Sequence, residues 1–172
     1  MFITVRDLER RKIQFDTSFP PGEIDFLDPN LRQEGDLKTQ GSVELLSHTL
    51  GEIRIKGHVS VTMSAPCDRC LEPALATVDS DFDLFYQPAD SGPEQAEVEI
   101  DEGDTEVGYY EGEGIELKDV LRENVLLSVP MQNLCKQDCQ GICPVCGQNR
   151  NVSACHCEVK PVDDRWAVLK KL

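Results

Sequence analysis

The sequence predicts an α+β protein: an antiparallel, β-rich domain with one or two helices and a C-terminal segment stapled by zinc. Apolar and polar residues alternate with a period of two through the middle of the chain, and one later stretch has helical spacing. Six of the eight cysteines lie within residues 135–157, where few side chains are apolar. We therefore expect a β-rich core domain in residues 1–130, and in residues 131–172 a cysteine-rich zinc segment and C-terminal helix packed on that core.

The first half of the chain predicts strands joined by turns. Residues 2–5 and 13–19 form short apolar pieces separated by proline and glycine turn signals, and residues 6–10 fit a helical turn. After residue 42 the strand pattern strengthens, because polar residues alternate with Ile53, Ile55, Val59, Val61 and Met63. Apolar and polar residues alternate again at residues 76–86. The intervening Cys67-Asp-Arg-Cys70 turn should therefore join two long strands at a hairpin tip.

Acidic residues are concentrated in one part of the chain. The formal net charge is -15, yet between Cys70 and Leu117 there are fifteen acidic residues and neither lysine nor arginine. Residues 87–114 of this stretch are also rich in proline and glycine, which predicts a long loop or a partly disordered excursion from the core domain. A protein this acidic is a poor candidate for coating nucleic acid through many phosphate contacts.

A helix and the cysteine cluster follow the acidic stretch. Leu117, Val120, Leu121 and Val125 recur at helical spacing, and Pro130 should end the helix. A last short helix is expected at 164–172, with Trp166 and Leu169 available for docking. Between them the chain has too few apolar residues for a core of its own, so bound metal should supply its order.

The cysteine spacing predicts two structural zinc sites. In Cys143-Pro-Val-Cys146-Gly147, two thiolates of one tight turn can bind a tetrahedral ion while the glycine allows the turn to aim N–H groups at sulfur. Eight thiolates divide into two closed sites with no open catalytic position. Our preferred grouping is Cys67, Cys70, Cys135 and Cys139 around one zinc, and Cys143, Cys146, Cys155 and Cys157 around the other. The linkers can also span other pairings, so the spacing leaves the grouping open.

Other chemistries are less well supported by the sequence. A redox Cys-x-x-Cys would need a strand before it and a helix after it, whereas Gln148-Asn149-Arg150-Asn151 follows Cys146. His48 and His58 fall in expected strands, and His156 should point away from a metal held by its neighbours. No nucleotide-binding, zinc-protease or nucleophile-elbow motif occurs. We expect no enzyme activity and no small-molecule substrate.

The N-terminus and the basic residues indicate where the protein works and what it touches. Charge appears by the sixth residue, so we expect neither a signal peptide nor a membrane span, and we place the protein in the cytoplasm, where thiols stay reduced. Arg54, Lys56 and His58 project from one strand face, and Arg69 lies in the Cys67-Asp-Arg-Cys70 turn. This stripe is typical of a solvated strand face. If RNA or another partner is contacted directly, we expect the contact at Arg54, Lys56 and Arg69 or at the basic C-terminal helix.

Four segments in order resemble the YceD family, the large ribosomal RNA accumulation proteins of bacteria and plastids. They are the Cys67-Asp-Arg-Cys70 turn, the helix with its proline at 115–130, the cysteine cluster at 135–157 and the basic end at 164–172. Arg150 departs from the family pattern, which usually has an apolar residue there. The resemblance implies a non-enzymatic accessory role in large-subunit ribosomal RNA accumulation or processing, and hence in ribosome biogenesis.

The resemblance also implies the partners. Pre-ribosomal large-subunit RNA, a basic ribosomal protein, or both would bind the protein, and the acidic stretch could shield such a basic partner. Two alternative functions stand beside this one: a thiol- or zinc-responsive regulator, suggested by the density of thiols, and a generic zinc-ribbon adaptor.

Overall fold

The computed structural model describes residues 1–89 and 107–157. Seven strands and two helices occur in these ranges, in the order β1 (Phe2–Thr4), α1 (Val5–Arg10), β2 (Ile13–Phe19), β3 (Arg32–Leu45), β4 (Ile53–Pro66), β5 (Pro73–Pro88), β6 (Val107–Tyr110), β7 (Gly114–Glu116) and α2 (Leu117–Ser128). The expected helix at 164–172 and most of the expected acidic excursion lie outside the described residues. No helix among the described residues is long and apolar enough to cross a membrane.

The chain divides into two compact units. The first contains Met1–Ala65 and Leu75–Met131, and the second contains Pro66–Ala74 and Gln132–Leu172. The turn between β4 and β5, which we expected to belong with the core domain, therefore clusters with the cysteine-rich segment.

A five-stranded sheet in the order β2-β3-β4-β5-β6 forms the framework of the first unit. Strands β2, β3 and β4 pair antiparallel, in agreement with the antiparallel, β-rich domain that the sequence predicted. Strand β6 pairs with β5 in parallel, so the sheet is mixed rather than wholly antiparallel. The long connection between β5 and β6 makes this possible, because parallel neighbours cannot be joined by a tight turn. Strands β1 and β7 form a separate antiparallel pair.

One face of this sheet carries the core of the first unit. The apolar residues of β4 are buried, whereas Arg54, Lys56 and His58 alternate with them and lie on the opposite face, as expected. On the buried face Gly41 pairs with Gly57 across β3 and β4. A Cβ atom on Gly41 would lie 2.6 Å from Cζ of Phe15, so that ring fills the space that the glycines leave.

The two helices of the first unit contain the residues for which the sequence predicted helix, and α1 begins one residue earlier, at Val5. In α1 the hydroxyl of Thr4 caps the N-terminus by accepting a hydrogen bond from the Asp7 N–H at 3.1 Å. Helix α2 buries Leu117, Val120, Leu121 and Val125, the residues with helical spacing. It stops at Ser128 because Pro130 disfavours helical backbone at Val129.

His48 does not lie in a strand, and that prediction was wrong. It occupies the turn between β3 and β4 with a φ of 68°. Its apolar neighbours suggested a strand, but the chain must reverse direction here before β4 begins. His58 does lie in a strand, as expected.

Candidate metal centre

The structure gathers all eight cysteines into two groups of four. Within each group the four sulfur atoms lie within 4.8 Å of one another, so each group could hold a metal ion. We name the groups site A, formed by Cys67, Cys70, Cys135 and Cys139, and site B, formed by Cys143, Cys146, Cys155 and Cys157. This is the preferred grouping of the sequence analysis, and tertiary structure selects it over the swapped pairings.

The sulfur separations suit a metal rather than disulfides. In a tetrahedral site with metal–sulfur bonds of about 2.3 Å, neighbouring sulfurs lie about 3.8 Å apart. Cys67 and Cys139 are separated by 3.8 Å between sulfurs, and Cys70 and Cys135 by 3.5 Å. A disulfide would need about 2.05 Å. All eight thiols are free.

The first turn of site A is a tight loop closed by backbone hydrogen bonds. The N–H of Leu71 donates to the Cys67 carbonyl at 2.9 Å, and the Cys67 N–H donates to the Glu72 carbonyl at 2.8 Å. Leu71 has a φ of 65°, which the reversal of the chain requires. The loop presents the sulfurs of Cys67 and Cys70 on the same side, where both are buried.

The Cys143–Cys146 turn of site B has the same backbone. Gly147 has a φ of 74°, and its N–H donates to the Cys143 carbonyl at 2.9 Å. The Cys143 N–H donates to the Gln148 carbonyl at 2.8 Å, which matches the closing bond of the first turn. The two Cys-x-x-Cys motifs are therefore equivalent turns, although only the Cys143–Cys146 motif has a glycine after its second cysteine.

Backbone N–H groups lower the pKa of the first cysteine of each turn. The N–H of Cys135 donates to the Cys67 sulfur and is the largest cause of the fall in the pKa of Cys67 to about 6. The N–H groups of Cys146 and Val145 lower the pKa of Cys143 to about 6. These N–H donors favour the thiolate, which is the form that binds metal.

The thiols of Cys135 and Cys157 hold their protons more tightly. Interaction with the Cys70 sulfur raises the pKa of Cys135 to about 12, and interaction with Cys146 raises that of Cys157 to about 12. Four sulfurs this close cannot all ionise without a cation between them. The donor set therefore matches a divalent, thiol-binding metal.

Three polar residues interact with the sites in ways that the sequence did not predict, although Arg69 was already placed in the Cys67–Cys70 turn. Asn151 Nδ2 donates to the Cys139 sulfur at 3.3 Å, and Arg69 Nη1 donates to the Cys139 carbonyl at 3.0 Å. Arg150 interacts with the sulfurs of Cys143 and Cys155, which raises the pKa of its guanidinium. The position of Arg150 and Asn151 shortly after a Cys-x-x-Cys motif was the available signal.

His156 is exposed between two partly buried cysteines, Cys155 and Cys157. The sequence predicted this alternation, in which the two cysteine sulfurs face site B and the histidine points away from it.

The three residues expected to contact RNA or a partner lie in different surroundings. Arg54 donates to both carboxylate oxygens of Asp83, at 2.8 and 2.6 Å. Lys56 is exposed on the same strand. Arg69 lies in the second unit and is exposed along part of its length, although its guanidinium is bonded to Cys139.

Carboxylates of β5 accompany the basic face of β4. His58 Nδ1 lies 3.0 Å from the Asp81 carboxylate, and the Ser60 hydroxyl donates to Asp79 at 3.2 Å. Together with the pair of Arg54 and Asp83, these contacts join residues of rising number in β4 to residues of falling number in β5, as in an antiparallel hairpin. A hairpin with its tip at the Cys67 turn fixes which residues of its two strands face each other. These residue pairs could therefore have been predicted from the sequence.

Comparison with known proteins supports a family assignment. Residues 55–172 match the family model described as "Large ribosomal RNA subunit accumulation protein YceD". This range includes every cysteine of both sites. No significant match was found among solved structures.

Relatives of known sequence extend this match. An uncharacterized protein of Mycobacterium tuberculosis is 30% identical over 121 residues, which cover 70% of this chain and 55% of the relative, so the chain spans only about half of that protein. The "Large ribosomal RNA subunit accumulation protein YCED homolog 1, chloroplastic" of Zea mays is 24% identical, over 65% of this chain and 46% of its own. The uncharacterized protein YlbN of Bacillus subtilis is 24% identical over 98% of this chain and 92% of its own length. On the strength of the family match, this chain belongs to the YceD family.

Proposed function

We propose that the protein is a non-enzymatic accessory factor for accumulation or processing of large-subunit ribosomal RNA, and thus acts in ribosome biogenesis in the cytoplasm. The observation that carries the proposal is the family match over residues 55–172. The name of the maize relative supports the same role. The closed arrangement of both cysteine sites supports a structural rather than a catalytic use of metal.

The resident ion at both sites is proposed to be zinc. Each group has four cysteine sulfurs within 4.8 Å of one another. Four thiolates are the donor set of structural zinc sites, and they leave no coordination position for a substrate or a reactive water. The buried cluster in the described part of the second unit consists of three cysteines and Ala74, with Leu134 packed against it. Metal–thiolate bonds would supply the stability that so small an apolar cluster lacks.

Loss of the gene tests the proposed role. A deletion strain should accumulate less mature large-subunit ribosomal RNA relative to small-subunit RNA, and should show fewer large subunits in sucrose gradients. The wild-type gene should restore both, which controls for effects on neighbouring genes. Unchanged RNA ratios and subunit profiles in the deletion strain would contradict the proposal.

Metal dependence is tested in the same strain. Complementation with Cys67→Ser and Cys143→Ser variants shows whether each site is required. His156→Ser is a matched control, because His156 is an exposed neighbour of two ligands. Rescue by the cysteine variants at wild-type protein levels would show that metal is dispensable for the role.

Contact with RNA or another partner is proposed at Arg54, Lys56 and Arg69. Lys56 is exposed, whereas a phosphate approaching Arg54 must compete with the carboxylate of Asp83. On this face of the hairpin the cations Arg54 and Lys56 are accompanied by carboxylates of β5, so any RNA contact here is local rather than extensive.

Releasing Arg54 from its carboxylate distinguishes RNA from a basic protein. If Arg54 binds phosphate, Asp83→Asn should strengthen RNA binding, and Arg54→Gln should weaken it. Asp119→Asn is the matched control, because it removes the same charge and breaks the pair with Arg122 at 3.0 Å. If Asp83→Asn instead weakens capture of a ribosomal protein and leaves RNA affinity unchanged, a basic protein is the partner at this face.

The acidic residues within 90–106 are proposed to shield a basic ribosomal protein before assembly. This segment lies outside the described residues, and its composition is the support for the proposal. Crosslinking in cells followed by identification of the attached RNA or protein would reveal the partner. Deletion of residues 90–106 should reduce the yield of a protein crosslink, and undiminished yield would contradict shielding.

One observation favours an alternative function, a thiol- or zinc-responsive regulator. Backbone N–H donors lower the pKa of Cys67 and of Cys143 to about 6, so both buried thiols would ionise near neutral pH and would react if loss of the metal exposed them. Metal analysis combined with titration of accessible thiols separates the functions. Firmly bound zinc with unreactive thiols supports the structural role, whereas readily lost metal and fast thiol modification support a regulator.

A further inference from the structure

One short segment of the second unit serves both metal sites. Cys139 belongs to site A and Cys143 to site B, and only three residues separate them. We call residues 140–142, which join the two sites, the connection, and residues 149–151 the returning chain. The two segments pair, because Ile142 forms a β-bridge with Asn149 and the Arg150 N–H donates to the Gly141 carbonyl at 2.9 Å. The connection and the returning chain therefore move together.

Two consecutive residues of the returning chain interact with different sites. Asn151 donates from Nδ2 to the Cys139 sulfur of site A at 3.3 Å. Arg150 interacts with the Cys143 and Cys155 sulfurs of site B. A shift of this part of the chain would alter both sites at once.

The orientation of the Asn151 amide is determined by its other bonds. Its Oδ1 accepts from the Gln140 N–H at 2.9 Å, and its Nδ2 also donates to Asn149 Oδ1 at 2.9 Å. Reversing the amide would place an oxygen against a thiolate and an amino group against an N–H. The amide therefore holds the backbone after Cys139 while its N–H group faces the sulfur.

The site A turn reinforces the same connection. The Arg69 carbonyl accepts from the Ile142 N–H at 2.9 Å, and the Arg69 guanidinium holds the Cys139 carbonyl. A Cβ atom on Gly141 would lie 2.9 Å from the Arg69 carbonyl oxygen, so the two backbones touch. Residues on either side of Gly141 are thus held from one direction by the site A turn and from the other by the returning chain of site B.

From this geometry we propose that sites A and B bind metal cooperatively, and that Asn151 is a positioning residue that couples them. The proposal rests on the structural metal sites proposed above. An ion at site B orders the Cys143–Asn151 loop and so places the Asn151 N–H against Cys139 before site A is filled. The conformational entropy of that loop is then lost only once, which favours binding of the second ion. By linkage, site A must favour site B to the same extent.

A thermodynamic cycle on the full-length reduced chain measures this coupling. The affinity of site A for Zn²⁺ is measured with site B removed by Cys143→Ser and Cys146→Ser, and that of site B with Cys67→Ser and Cys70→Ser. Competition with a chromophoric chelator supplies each constant. In the wild type, the overall constant for two ions should exceed the product of the two single-site constants by about 10-fold or more, the usual size of effects from residues that support metal ligands. A ratio of one overturns the proposal.

Substitution of Asn151 tests its part in the coupling. Asn151→Asp keeps an acceptor for the Gln140 N–H but cannot donate to sulfur, so the ratio should fall toward one and site A should bind about 10-fold more weakly. Asn133→Asp is the matched control, because Asn133 is held against Asp68 through its backbone N–H and carbonyl, at 2.8 Å each. It should leave the ratio unchanged.

The outcomes separate this proposal from the one on which it rests. If the wild type binds two ions and the ratio is one, the proposal of structural zinc is still supported, but the proposed coupling is contradicted. An undiminished ratio in Asn151→Asp removes the role of Asn151. Failure of the wild type to bind Zn²⁺ at all removes both proposals.

Discussion

Leu71 and Gly147 occupy the same position in the two Cys-x-x-Cys turns, immediately after the second cysteine, and both have left-handed backbone, with φ of 65° and 74°. Each donates its N–H at 2.9 Å to the carbonyl of the first cysteine of its turn. Glycine adopts this conformation without a steric penalty, whereas leucine does not. The site A turn therefore carries strain that the site B turn lacks.

Exchanging the two residue types should reveal that strain. Gly147→Leu should weaken the Cys143 turn by about 1–2 kcal/mol, the cost of left-handed backbone for a residue with a Cβ. Exchange of the Cys143 amide hydrogen, which is bonded to Gln148, should then quicken about 10-fold. Leu71→Gly should change exchange of the Cys67 amide little, since relief of strain offsets the greater freedom of glycine in the unfolded chain. Equal effects of the two substitutions would contradict the proposed difference in strain between the turns.

Metal removal should unfold the second unit selectively. The described buried cluster of that unit is made mostly of cysteines, whereas the first unit has an apolar core of its own. After chelation, hydrogen exchange measured by mass spectrometry should show lost protection at residues 139–151 and retained protection in β3, β4 and α2. Readdition of Zn²⁺ should restore protection. Persistent protection of 139–151 in protein shown to be metal-free would contradict a structural role for the ion.

The ion pair between Arg54 and Asp83 should give the first unit a specific acid dependence. The two hydrogen bonds from Arg54 lower the pKa of Asp83 in the folded state. The stabilisation is therefore complete above the unfolded-state pKa of about 4, and it is lost as the pH falls through the lower folded-state value. Arg54→Gln should raise the pKa of Asp83 toward its ordinary value, as followed by NMR of the carboxyl carbon. Lys12→Gln, which breaks the pair with Glu44, should leave Asp83 unaffected.

The paired glycines of β3 and β4 should not tolerate a methyl group. A Cβ atom on Gly41 would approach Cζ of Phe15 to 2.6 Å and the Lys56 carbonyl oxygen still more closely. Gly41→Ala should lower the free energy of unfolding by about 1–3 kcal/mol, as expected for overpacking, measured by urea denaturation. Ser42→Ala, one residue away on the opposite face, should change it by less than about 0.5 kcal/mol. A neutral Gly41→Ala would mean that the Phe15 ring can move aside.

Local patterns predicted the elements that depend on local physics. The buried residues of α2 and of β4 follow from their helical and period-two spacing, and both turns of the metal sites follow from the Cys-x-x-Cys spacing. The parallel pairing of β6 with β5 could not be predicted in this way. A four-residue strand at the end of a long connection carries no signal that distinguishes its possible neighbours.

The sequence by itself determined that eight thiols occur in pairs suited to two closed metal sites, and that acidic residues dominate one stretch of the chain. Tertiary structure alone decided which thiols share a site, because linkers of these lengths reach several partners and only packing chooses among them. It also decided that Arg54 faces Asp83 and that Asn151 faces Cys139, since hydrogen bonds between distant residues depend on the register of the folded chain.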